Sequence, residues 1–114
     1  MLATGPERAT GPDAFTLGPL EIRPGEMQVL AGDRRVGLTV REFQVFLALA
    51  ERHDRVVTRE GIYELVWGAP MTRRDRSVDV FVRKVRQKLA TAAPSWTFVH
   101  THFGIGYRLS PELA

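Results

Sequence analysis

The chain has 114 residues, 44% of them hydrophobic, and its 16 Lys and Arg outnumber 13 Asp and Glu for a formal charge of +3. That length suits one compact domain with a core of its own. The lack of cysteine excludes disulfides and thiolate metal sites, and no apolar run reaches the ~18 residues of a membrane span, so a soluble, unsecreted domain suited to the cytoplasm is expected.

Residues 1–14, MLATGPERATGPDA, are rich in Gly, Pro, Thr and Ala, show no periodic apolar face and read as a flexible linker or tail. From Phe15 short apolar pieces (FTL, LEIR, MQVLA, RRVGL) alternate with Gly18-Pro19, Pro24-Gly25 and Gly32-Asp33, which predicts a small antiparallel sheet of four strands. At Thr39 the period changes. Thr39 and Glu42 stand at capping-box spacing, with Leu38 and Phe43 placed as a hydrophobic staple. Phe43, Phe46, Leu47 and Ala50 then follow helical spacing, predicting a helix over 40–52. A second helix is predicted from Thr58 to Trp67, with Ile62, Leu65 and Val66 inward and Gly68 and Pro70 as its end. The alternation in TFVHTHFGIGYRLS predicts a terminal hairpin turning near His102 to Gly104, and residues 111–114 read as a tail.

Between these lies RRDRSVDVFVRKVRQKL, residues 73–89, with seven Lys and Arg against Asp75 and Asp79. Its local charge of +5 exceeds that of the whole chain, so basicity is confined to this patch. At about 100° per residue, Val78, Val82, Val85 and Leu89 fall within about 60° of arc, a buried stripe with Phe81 at its margin. Opposite lie Arg76, Val80, Arg83 and Gln87, with Lys84 beside them, while Arg86 and Lys88 flank the stripe. A merely solvated face intersperses carboxylates at i, i+4 spacing, whereas only Asp79 stands on this helix, spaced to pair with Arg83. The imbalance points to nucleic acid: a helix of this width fits a major groove, where Arg and Lys bond guanine acceptors or phosphates and Val80 suits a thymine methyl.

Three stretches in this order, LTVREFQVFLALAERHDRVVTREGIYELVWG, RSVDVFVRKVRQKL and GIGYR, resemble the OmpR/PhoB-type winged-helix domain, the DNA-binding effector of bacterial response regulators, over Phe15 to Leu109. The resemblance implies an α+β winged helix-turn-helix over 15–110, built of an N-terminal four-stranded antiparallel sheet, three helices and a C-terminal β-hairpin wing. It further implies that the third helix, about 76–90, enters the major groove and that the wing, 98–109, lies near the minor groove. By matching position, Arg76 and Ser77 contact phosphates, Val80, Arg83 and Lys84 face the groove, Arg86 contacts the DNA backbone, and Thr101 lies near the phosphates. Gln87 shares the outward face, and Phe81, where relatives often carry a polar residue, offers an apolar contact at the groove edge.

The wing departs from the pattern. Thr101-His102-Phe103-Gly104 stands where relatives commonly read Thr-Val-Arg-Gly, so Phe103 replaces the minor-groove arginine. Three outcomes stay open: Phe103 wedges against sugars, packs within the domain, or the wing contributes less and Arg108 or His102 supplies the charge. Loop 68–75 is either a contact for RNA polymerase, as in some relatives, or a connector whose Arg73 and Arg74 add to the DNA field. The sequence holds no receiver, which implies an upstream receiver, another fusion or a free-standing effector, monomeric when free and pairing on repeated half-sites.

Other function classes fit less well. His100 and His102 lie on one side of a strand as a metal pair would, yet no third ligand has suitable spacing, so no metal or cofactor is expected. Gly104-x-Gly106 precedes no helix, and the Ser, His and Asp residues form no nucleophilic constellation, so catalysis is not expected. RNA is disfavoured because no exposed aromatic platform interleaves with the basic residues. The standing alternative is a winged helix used for protein docking, with little duplex binding even at low salt.

Overall fold

The structure, a computed structural model, describes residues 13–114, so the tail read over 1–14 lies almost wholly outside the described residues. Strands β1 (Phe15–Leu17), β2 (Leu20–Arg23), β3 (Gln28–Ala31) and β4 (Arg34–Arg35) form the expected antiparallel sheet in that order. It alternates well enough to bury Leu17, Leu20, Ile22 and Val29 toward the helices.

Helix α1 (Val40–Ala50) begins as its capping box requires: Glu42 N–H donates to Thr39 Oγ1 at 3.3 Å, and Thr39 N–H donates to Glu42 Oε1 at 2.9 Å. Its buried surface is broader than the expected stripe. Val45, Ala48 and Leu49 are buried along with Phe43, Phe46 and Ala50, while Leu47 is half-buried. The reason is position: α1 packs against both other helices and the terminal hairpin, so more than one side of it is covered.

Helix α2 (Arg59–Trp67) is capped by Thr58, whose Oγ1 accepts from Gly61 N–H at 3.0 Å, and ends at Gly68. Ile62 is buried and Val66 half-buried, but Leu65, expected inward, is 50% exposed. A helix of nine residues meets its neighbours along one narrow side, and Leu65 falls beyond it. Helix α3 (Ser77–Ala92) buries the predicted Val78, Val82, Val85 and Leu89.

The terminal hairpin comprises β6 (Trp96–His102) and β7 (Gly106–Leu113), and a short strand β5 (Val56–Thr58) adds to it in the order β5-β7-β6. Sequence reading missed β5 because its three residues run straight into the α2 cap. Strand β7 also continues past residue 110: Glu112 pairs with Thr97 and Leu113 with Trp96, so residues 111–113 belong to the sheet. Pro111, lacking an N–H, sits where the register shifts between Thr97 and Val99, and that irregularity broke the visible alternation.

Candidate nucleic-acid interface

Two elements hold α3 through one carboxylate. Asp79 accepts from Arg59 Nε at 3.1 Å and Nη2 at 2.9 Å, and from Tyr107 Oη–H at 2.6 Å, joining α2, α3 and β7. This corrects the expected Asp79–Arg83 pair: Asp79 faces the start of α2 and the hairpin, where Arg59 offers a two-pronged guanidinium. Among the described residues Arg83 and Lys84 make no ion pair, so their charge is available to a ligand.

The network fixes protonation as well as place. Burial pushes the Asp79 carboxyl up, but the Tyr107 hydroxyl and Arg59 outweigh it and hold the group below its ordinary value. Burial first, and then the bond to Asp79, push the Tyr107 phenol up to about 12. Glu42 behaves like Asp79: burial raises it, yet the Lys88 ammonium at 2.6 Å and Thr39 N–H leave it depressed. A carboxyl depressed on folding stabilises fully above its unfolded pKa, about 4, and that contribution is lost as pH falls through the folded value. Urea midpoints are therefore expected to drop on acidification below about pH 4, less steeply in a Glu42→Gln/Asp79→Asn variant. An unchanged acid slope in the double variant would remove these two groups from the explanation.

Outward from this anchor, Arg76, Val80, Arg83, Lys84 and Gln87 are exposed on one side of α3, as read from the sequence. Arg73 and Arg74 are exposed just before it, and Ser77 is half-buried, its N–H donating to Asp75 Oδ1 at 2.8 Å. Phe81 is half-buried. Its ring meets Trp67 at 5.8 Å, Trp67 stacks on Tyr63 at 4.7 Å, and Lys84 Nζ lies over Phe81 at 5.3 Å. The aromatic chain thus braces a lysine on the exposed side of α3.

Arg86 turns the other way. Its Nε and Nη2 donate to Val99 O at 3.1 and 3.0 Å, Nη2 also donates to Thr101 Oγ1, and the guanidinium lies 5.7 Å from the Tyr107 ring centroid. Arg86 and Thr101, both placed near DNA by resemblance, are bonded to each other and clamp β6 to α3. Arg108 Nε donates to His102 Nε2 at 3.2 Å, and His100 Nε2–H donates to Ser110 O at 2.8 Å. Among the described residues no group of three or more metal-ligating side chains comes together.

At the wing tip the open question about Phe103 closes on one side: it is 90% exposed and does not pack within the domain. Ile105 beside it is 55% exposed. Ile105 N–H donates to His102 O at 2.9 Å, and Gly104 supplies the left-handed turn at φ 77°.

Sequence reasoning missed Arg59, Tyr107 and the Glu42–Lys88 pair. The separations of 20, 28 and 46 residues in these contacts leave no local signal. Among the described residues, no helix is long and apolar enough to cross a membrane.

Residues 33–109 match the family model described as transcriptional regulatory protein, C terminal. The heme response regulator HssR of Staphylococcus epidermidis is 33% identical over 97 residues, covering 85% of this chain and 43% of that protein. The chain therefore spans less than half the length of that curated relative. The RstA DNA-binding domain of Klebsiella pneumoniae, solved in complex with the RstA box, superposes with a TM-score of 0.77 at 28% identity, over 86% of this chain and 97% of that one. The DNA-binding domain of CpxR from E. coli gives 0.77 at 26% identity, over 85% and 95%.

Proposed function

This chain belongs to the family of transcriptional regulatory protein C-terminal domains, the OmpR/PhoB type, and on that footing we propose that it is the double-stranded-DNA-reading domain of a bacterial transcription regulator. The observation that carries the reading is the outward side of α3, where Arg76, Arg83 and Lys84 stand exposed while the carboxylate of Asp79, 3.6 Å from Arg76, is held by Arg59 and Tyr107 and leaves Arg83 and Lys84 without an ion pair among the described residues.

In this reading α3 occupies the major groove. Arg83 and Lys84 reach base edges, Val80 meets a thymine methyl, and Gln87 offers a further amide. Arg73, Arg74 and Arg76, at the end of α3 whose dipole is positive, draw in phosphates. Arg86 and Thr101 act through position, keeping the wing against the reading helix. The relative's greater length leaves room for a receiver or other domain beside this one, and the proposal adds two further partners that follow from the family resemblance alone: RNA polymerase at loop 68–75 and a second copy on repeated half-sites.

Salt dependence tests the core of this proposal. Five exposed cations at Arg73, Arg74, Arg76, Arg83 and Lys84 predict a log–log slope of roughly −3 to −5 for binding to random duplex, at about −0.9 per phosphate neutralised. The measurement is a fluorescence-anisotropy titration at several salt concentrations. No duplex binding at low salt would replace the reading with a protein-docking role.

A further inference from the structure

The apolar wing tip has no counterpart in an electrostatic account of DNA binding. Phe103 is 90% and Ile105 55% exposed, on either side of Gly104 in one tight turn, and no carboxylate stands among residues 100–108. Below them on β7 stands Arg108, with His102 held against it and Glu112 3.9 Å away, while Arg86 is committed to Val99 and Thr101. A water-exposed phenyl ring on a hairpin packed against a helix with exposed Arg76, Arg83 and Lys84 suits a ligand that is anionic outside and apolar within.

The connections between α3 and the wing say where the tip lies. Trp96 N–H at the start of β6 donates to Ala93 O just past the C-terminal end of α3, whereas Val99 and Thr101, further along β6, meet Arg86 in the middle of α3. The hairpin thus runs toward the N-terminal end of α3, and His102 to Gly106 extend beyond these anchors. A helix about 10–12 Å wide fills a major groove about 12 Å wide. An element standing beside that helix cannot share the groove, so it crosses the bordering sugar–phosphate strand, and beyond that strand is the minor groove.

We propose that Phe103 is an apolar wedge, inserting from the wing into a base step of the adjacent minor groove and kinking the duplex, with Ile105 covering the sugars beside it. The inference rests on the DNA-reading proposal above and adds a source of specificity to it. Apolar side chains inserted in this way unstack a step and bend DNA by about 20–90°, and pyrimidine–purine steps unstack most readily. Phe103 therefore selects sequence through deformability, at a position where no hydrogen bond is made. Arg108, on the hairpin below the tip, meets a phosphate drawn inward as the duplex bends.

The test uses the whole chain, its Phe103→Ala and Phe103→Arg variants, and random-sequence duplexes carrying donor and acceptor dyes at their ends, at low salt. Phe103 is so exposed that neither variant disturbs the core. Wild type is expected to bind and raise energy transfer. Phe103→Ala should bind about 3- to 10-fold more weakly and leave the duplex straight, as loss of a stacked aromatic implies. Phe103→Arg should recover affinity without the bend. A second readout, 2-aminopurine placed in TA steps, should brighten with wild type alone. Binding by wild type with no bend, or an equal bend with Phe103→Ala, overturns the wedge and leaves DNA reading intact. No duplex binding by wild type overturns both, and Phe103-dependent adsorption to anionic vesicles or self-association would then give the tip its occupant.

Discussion

Replacing Arg83 and Lys84 together by alanine is expected to erase most of the preference between a selected site and a scrambled one while leaving the fold intact. Both side chains are exposed and, among the described residues, make no ion pair, so thermal unfolding should move little. A good base-edge contact discriminates by about 1–3 kcal/mol, so the loss should reach roughly 10- to 100-fold if either residue reads a base. The measurement is selection from a randomised duplex pool followed by competition between the enriched and scrambled duplexes. Equal losses on both duplexes would mean that the pair contacts phosphates only, and the reading of bases by α3 would have to be withdrawn. Lys84 carries particular interest because Phe81, backed by Trp67 and Tyr63, holds its ammonium over an aromatic face. Such bracing reduces the rotamer freedom lost on binding, which compensates in part for the planar fork that an arginine would offer.

The features legible in the sequence are those decided within a few residues. The capping box of Thr39 and Glu42 and the stripe of Val78, Val82, Val85 and Leu89 depend on helical geometry alone, and both stand as read. Features decided across the chain were read wrongly or missed. Asp79 has Arg83 one turn away, but a bidentate guanidinium from α2 and a buried phenol from β7 outweigh a single exposed i, i+4 pair. Leu65 shares a face with Ile62 by spacing, yet only the packing of α1 and α3 decides how wide the covered face is. Arg86 counts as one more cation in any tally of charge, and only the position of β6 shows that its donors are committed to Val99 and Thr101. The exposure of Phe103, by contrast, follows from local geometry: it sits in a tight turn with Gly104, which places a side chain outside the sheet whatever its polarity.

Gly106→Ala is expected to have the largest effect on stability of any single methyl added to this protein. A Cβ at Gly106 would stand 2.0 Å from Val57 O and 2.8 Å from Thr58 Cα, both backbone atoms that no rotamer change can move aside. Strand β5 pairs with β7 at Val56–Arg108, Val57–Tyr107 and Thr58–Gly106, so relieving the clash separates all three pairs. The consequence spreads because Thr58 is also the cap of α2, and the next residue, Arg59, grips Asp79 on α3. Overpacking with loss of a ladder, a cap and a partly buried ion pair places the cost at about 3 kcal/mol or more, a fall in Tm of order 10–20 °C for a domain of this size. Gly37→Ala, where nothing lies within 4 Å, is the control and should change Tm little. A Gly106→Ala protein that unfolds within about 0.5 kcal/mol of the control would show that β5 does not sit on β7 in this register. Gly106 also pairs with His102 at the root of the wing tip. The substitution should therefore weaken duplex binding even at temperatures where the protein stays folded, because the tip, the Arg59–Asp79 tether and the direction of α3 all depend on the same close approach of two backbones.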